Sequence, residues 1–162
     1  MQPQYPQYPP PGQPYVPVAN APRFAPWINR VGSYLIDWVP PAILLSISYS
    51  FVGFDGNMSG VSGGEWAGYV IFALLAFAVW FYNRCYRAGK TGKSWGKSMT
   101  GSRLIAEATG APIGVGNAFL RDLCHILDDL CGLFPLGYLW PIWDRKRQTF
   151  ADKIMKTVVI LP

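Results

Sequence analysis

The sequence predicts an all-α integral membrane protein: two transmembrane helices, then an amphipathic or re-entrant helical hairpin, with short cytoplasmic β-strands. Three observations predict it. Only 14% of the 162 residues are charged, against about 25% in a soluble domain. Two apolar runs, at 30–52 and 66–83, approach the length of about 20 residues that crosses a hydrocarbon core. The basic residues cluster beside those runs: Arg84, Arg87, Lys90, Lys93, Lys97 and Arg103 come without an intervening acid, and Arg145, Lys146, Arg147, Lys153 and Lys156 follow near the end. A net charge of +5 suits nucleic acid in other settings, but basic clusters flanking apolar spans mark the cytoplasmic side of a membrane. The expected partner is therefore the lipid bilayer of the cell membrane, with no nucleic acid.

Residues 1–26 are a low-complexity run of Pro, Gln and Tyr that cannot bury a core. They predict a disordered tail of polyproline II character, either simply solvated or docking a protein partner with an aromatic-lined groove. No charged start leads directly into an apolar core and cleavage site, so the first span is expected to serve as its own insertion signal, leaving the N-terminus cytoplasmic. Residues 27–162 form the expected membrane domain.

The first span starts at Arg30 and carries one carboxylate, Asp37. An ionisable group within a span costs about 2.5–3.5 kcal/mol on insertion scales, so Asp37 needs a function or a partner. Arg30 lies seven residues earlier, on the same helix face and about 10 Å away along the axis. Pairing by an extended Arg side chain is open, direct contact is not required. Pro40-Pro41 removes two donors just beyond Asp37 and predicts a kink with a polar spot at that depth.

The connector Gly53–Glu65 is Gly-rich, holds acids but no Lys or Arg, and is expected to face outward. Its Asn57-Met58-Ser59 sequon is of a kind that arises often by chance. The second span, Trp66 to Asn83, contains no charge and ends in an aromatic belt of Trp80, Tyr82 and Tyr86. Gly64 and Gly68 at its start suit close helix approach.

The loop G-K-T-G-K-S-W-G-K-S imitates a phosphate-binding loop, yet Thr91 stands where the first Gly belongs and no buried strand precedes it. Nucleotide hydrolysis is excluded. From Arg103 the chain reads as a short strand, a Thr-Gly turn and a second short strand, and Thr157 to Leu161 as another strand.

Residues 117–134 predict a helix with an apolar face opposite one continuous polar stripe, Arg121, Asp122, His125, Asp128 and Asp129. Such a helix lies in the cytoplasmic interface with its polar side to water, or else lines a proton or cation path with Asp37. The helical region extends to about residue 143, but Pro135 and Pro141 break its last part. Basic residues on both flanks favour a hairpin around Gly132–Gly137 over a third span. Cys85, Cys124 and Cys131 form no C-x-x-C pair, so neither a disulfide framework nor a metal site is expected. One histidine and no nucleophile–base spacing leave no catalytic residue to name, no cofactor and no enzyme.

In this order, the motifs resemble those of the RDD family of bacterial membrane proteins, named for an arginine and two aspartates. Arg30 and Asp37 carry the resemblance first. Gly92-Lys93-Ser94-Trp95-Gly96-Lys97 resembles the family's G-x-T-x-G-K loop, with Ser94 in place of Thr, and Arg103-Leu104-Ile105-Ala106 resembles its L-R-V-V-like strand. The ending D-R-K-R-Q-T-F-A-D-K-I-M-K-T-V-V-I supplies Asp152 as the second aspartate. The resemblance covers roughly residues 24–161, and the leader is similar to those of mycobacterial members. The Pro-Pro pair after Asp37 and the acids Asp128-Asp129 depart from the pattern. The resemblance implies transport of an unknown ligand, or cation/proton exchange, by a homo-oligomer, since so few spans hardly enclose a path. Asp37 would then be the protonatable ligand. Arg30 would be its charge partner, or would pair with Asp152 at the surface and leave Asp37 free. The alternative is a non-transporting scaffold that docks a partner through its Pro-rich tail.

Overall fold

Two long antiparallel helices carry a charged layer and a small sheet at one end. The structure, a computed structural model, describes residues 23–53, 60–129 and 136–161. Helix α1, Trp27–Val52, begins ahead of Arg30 and continues through Pro40 and Pro41 without interruption. Its buried residues Ser33, Asp37, Pro41 and Ser48 form one stripe, while Leu35, Val39, Ile43 and Ile47 form an exposed apolar one. A helix on a water-soluble protein has these faces the other way round. Polar and small residues inside with apolar residues outside suit a helix surrounded by lipid.

Helix α2, Gly63–Trp80, starts on a capping box between Ser62 and Glu65. It runs on through a π-helical stretch, Phe81–Arg87, into α3, Ala88–Thr91. The Ser48 hydroxyl donates to the Tyr69 carbonyl, and Asn83 reaches Asp37, so the two long helices run antiparallel. Gly68 permits close approach: a Cβ there would lie 2.6 Å from the Phe51 ring. Trp27–Val52 and Gly63–Thr91, of 26 and 29 residues, are long and apolar enough to cross a membrane. Only 6% of the second one's apolar stretch is buried, unlike the core helix of a soluble protein.

The remaining elements gather at the end where α1 starts and α3 finishes. Ser94 caps α4, Trp95–Met99, and strand β2, Arg103–Ala106, follows. Helix α5, Val115–Asp129, packs against the π-helical stretch. Helix α6, Leu136–Leu139, leads through a 3-10 turn to α7, Phe150–Met155, which a Thr149–Asp152 capping box begins. Strand β3, Thr157–Leu161, sits at the centre of a three-stranded antiparallel sheet between β1, Arg23–Phe24, and β2, with Leu104 opposite Val159.

Four expectations change. The domain is mostly helical but not all-α, because this sheet supplies part of its apolar core, with Leu104 and Val159 against Ala25, Ile113 and Ala118. Strand β1, Arg23–Phe24, pairs with β3, and Ala25 is fully buried, so the fold begins inside the segment assigned to the tail. The second strand after the Thr-Gly turn does not form. Ala106 N–H donates to Ala111 O and Gly110 N–H to Ala106 O, closing a tight loop instead. Finally, α5 turns its polar stripe inward and exposes Leu120, Leu123 and Ile126, the reverse of a helix whose polar side meets water. Residues 1–22 of the tail, the Asn57 sequon and residues 132–135 of the proposed hairpin turn lie outside the described residues.

Candidate functional site

Asp37 is 1% exposed, and both its oxygens are occupied. Oδ1 accepts from Asn83 Nδ2 at 2.8 Å and from the Gly96 backbone N–H at 2.8 Å. Oδ2 accepts from Ser94 Oγ at 2.6 Å. Asn83 in turn accepts from the Trp95 N–H at 2.8 Å. One carboxylate and one amide thus fasten the 92–96 loop to both long helices. Gly96 is required, since a Cβ there would overlap the Ser33 carbonyl of α1. A carboxylate buried at this depth is tolerable because three donors replace its water.

Arg30 does not pair with Asp37. Its Nη1 lies 2.6 Å from Asp152 Oδ2, while Arg121 Nε and Nη2 lie 2.8 and 2.7 Å from Asp152 Oδ1. Asp152 also accepts from the Thr149 N–H and from Thr157 Oγ1. It is fully buried. Burial by itself would raise its pKa, but the guanidiniums of Arg121 and Arg30 outweigh burial and hold the carboxyl far below the usual range. This clamp joins α1, α5 and α7, elements distant in sequence.

A second pair closes the layer. Arg84 grips Asp122 side-on, Nε to Oδ2 at 2.6 Å and Nη2 to Oδ1 at 2.9 Å, and its guanidinium lies 5.4 Å from the Tyr34 ring centre. His125 Nδ1 sits 2.6 Å from Asp128 Oδ2, and the imidazole stacks on Tyr138. Burial, then Arg121, lowers the His125 pKa below its ordinary value despite Asp128. Asp128 Oδ1 accepts from the Phe150 N–H at 3.0 Å.

Between these pairs lies a cavity of about 340 Å³, within the roughly 300–1,000 Å³ of small-molecule sites. Arg30, Arg84, Lys97 and Arg121 line it, with His125 and Tyr138, and no carboxylate residue is among its described lining residues. Arg30 Nε and Nη2 are buried without a hydrogen-bond partner among the described residues. Burial, then the Arg121 charge, pushes the Lys97 ammonium down to about 8. Chemically the arrangement offers hydrogen-bond donors and positive charge. Among the described residues no group of His, Cys, Asp and Glu is placed to hold a metal ion.

Of the sequence candidates, the structure brings Arg30, Arg121 and Asp152 into one clamp, and places Asp122, His125 and Asp128 in the same layer. Asp37 stands apart, on the loop side. Asp129 belongs to α5, but its side chain lies outside the description. Sequence reasoning missed Asn83, Ser94 and Gly96 as the partners of Asp37, and Arg84 and Lys97 as cavity walls. Ser94, Gly96 and Lys97 were visible in the glycine–lysine loop; Arg84 was hidden within a basic cluster read as flanking charge.

The family model described as RDD family matches residues 24–156. The proline-rich antigen homolog of Mycobacterium tuberculosis strain H37Rv is 37% identical over 155 residues, covering 85% of this chain and 63% of that protein. The proline-rich antigen of Mycobacterium leprae strain TN is 36% identical over 150 residues, covering 83% and 59%. The chain thus spans less than two thirds of the length of these relatives. No solved structure matches it.

Proposed function

The chain belongs to the RDD family, a membrane family, and from that premise we propose that it is a multi-pass membrane protein that takes a small ligand into its charged layer and moves it across the bilayer as a homo-oligomer. The observation that carries this reading is the cavity walled by Arg30, Arg84, Lys97 and Arg121. It lies at one end of the two helices suited to span the bilayer, and the basic residues clustered there support a cytoplasmic side. Both oxygens of Asp37 are engaged by Asn83, Ser94 and Gly96, which gives cation/proton exchange through Asp37 less support than a ligand in the cavity. Arg30 serves as a wall in this account, and Asp152 holds it and Arg121 in place. The protein acts without catalysis, metal or cofactor, and its N-terminus is cytoplasmic.

Solute flux into proteoliposomes tests the proposal, with a panel of small anions and a pH-gradient assay for sodium and potassium. The expected result is flux of an anionic solute that Lys97→Gln lowers at least tenfold. Cation-driven proton movement abolished by Asp37→Asn but untouched by Lys97→Gln would contradict it and favour exchange. Absence of any flux from well-folded protein would leave the scaffold reading, which rests on the composition of residues 1–26. Partner recovery that survives deletion of the tail would count against that one.

A further inference from the structure

We propose that the ligand of the cavity carries a phosphate group, held by the free edge of Arg30 and by Lys97. This rests on the cavity being a ligand site, as argued above, and deepens it by naming the chemistry. A guanidinium has a side-on edge, Nε with Nη2, matched to two oxygens of a carboxylate or phosphate. Arg84 uses that edge on Asp122 and Arg121 uses it on Asp152. Arg30 does not: it holds Asp152 through Nη1 alone, and its Nε and Nη2 remain buried without a partner among the described residues. The Arg30 side chain is only 10% exposed. Buried guanidinium donors left unpaired are costly, and an oxyanion lying in the cavity supplies what that edge lacks.

Charge favours phosphate over carboxylate. Arg30 and Arg121 share one carboxylate, Asp152, so their clamp keeps one positive charge. The Lys97 ammonium, which has no hydrogen bond or ion pair among the described residues, lines the same cavity and adds another. Asp37 lies near enough to Lys97 to offset part of it, but both its oxygens already accept from Asn83, Ser94 and Gly96. Two cations converging on one cavity suit a group with more than one charged oxygen. The walls also include Trp27, Val31 and Leu35, and Leu35 is 58% exposed on the outward apolar face of α1. That continuity admits a phospholipid headgroup with its chains along α1 as well as a free phosphate compound.

Thermal unfolding of the delipidated full chain in an uncharged maltoside detergent separates these sources. The probes are inorganic phosphate, acetate, dioleoyl phosphatidic acid and dioleoylglycerol, the last two differing only in the phosphate. Stabilisation by phosphate or phosphatidic acid, but not by acetate or dioleoylglycerol, is expected. Lys97→Gln should raise the half-saturating concentration at least tenfold, as should Arg30→Lys, which keeps the charge toward Asp152 but lacks the free edge. Lys97→Gln carries the test if Arg30→Lys unfolds, because the Lys97 ammonium has no partner among the described residues to lose. A response to phosphatidic acid alone assigns the site to a lipid headgroup, and a response to inorganic phosphate assigns it to a free compound. No response to either phosphate probe, an equal response to acetate, or a response unchanged in Lys97→Gln overturns the inference. Binding without flux would sink transport and leave this site standing, whereas flux of a solute indifferent to phosphate would do the reverse.

Discussion

Asp37 and Asp152 are both buried aspartates, yet different chemistry holds each. Asp152 is held by two guanidiniums, so removing its charge strands buried cations. Asp152→Asn is expected to cost about 3–5 kcal/mol, the range for breaking a buried ion pair, read as a large fall in thermal midpoint in detergent. Its folded pKa lies below the unfolded value of about 3.9. Its stabilisation is therefore complete above that value and is lost as pH falls below it. An acid titration of the midpoint should show that loss, and the loss should be absent in Asp152→Asn. Asp37 is held only by neutral donors, and Ser94 Oγ also accepts the Lys97 N–H, so its oxygen can accept from an amide as well. Asp37→Asn therefore keeps most of the network by turning its amide nitrogen to Ser94. Asp37→Ala leaves Asn83 and the Gly96 N–H unpaired, at about 1–3 kcal/mol each. The predicted order of thermal midpoints is wild type, then Asp37→Asn, then Asp37→Ala; equal midpoints for the two variants would refute the network.

The two elements that build the site are the π-helical stretch Phe81–Arg87 and α5. A π-helical turn is wider than an α-turn and is found disproportionately at functional sites. Here the stretch sends Asn83 to Asp37 on one side and Arg84 to Asp122 on the other. Helix α5 exposes Leu120, Leu123 and Ile126 while Arg121, His125 and Asp128 are buried. A spin label at Ile126→Cys in proteoliposomes should therefore be accessible to oxygen and shielded from a water-soluble nickel chelate; the opposite pattern would place that face in water. The 3.6-residue period showed the α5 stripe in the sequence, but period alone does not say which face meets solvent. Only the positions of Arg84 and Asp152 across the fold decide that. The π-helical stretch left no comparable trace, because Phe81–Arg87 reads as an aromatic belt with flanking cations. The Ser94–Gly96 partnership with Asp37 spans more than fifty residues and was legible only as a loop motif.

At the scale of the molecule, β1 precedes α1 and β3 closes the described chain, so the sheet ties both ends to the charged layer. The end of α1 at Val52 and the start of α2 at Gly63 lie at the opposite end. If the helices span, Gly60→Cys and Met99→Cys should be labelled by an impermeant thiol reagent from opposite sides of a membrane vesicle, with Met99→Cys on the cytoplasmic side. Labelling of both from one side would contradict the hairpin across the bilayer. The two long apolar helices were readable from composition because their apolar runs are continuous in the sequence; the clamp between Arg30 and Asp152 was not, because 122 residues separate them. That clamp is the centre of the account, since Asp152 fixes Arg30 at the cavity wall and leaves the other edge of its guanidinium to the cavity. Double-mutant cycles on unfolding free energy test it most directly, pairing Arg30→Gln with Asp152→Asn and, separately, with Asp37→Asn. The account predicts a coupling of about 0.5–3 kcal/mol for Arg30 with Asp152, and additivity within about 0.5 kcal/mol for Arg30 with Asp37. Coupling to Asp37 with none to Asp152 would contradict it.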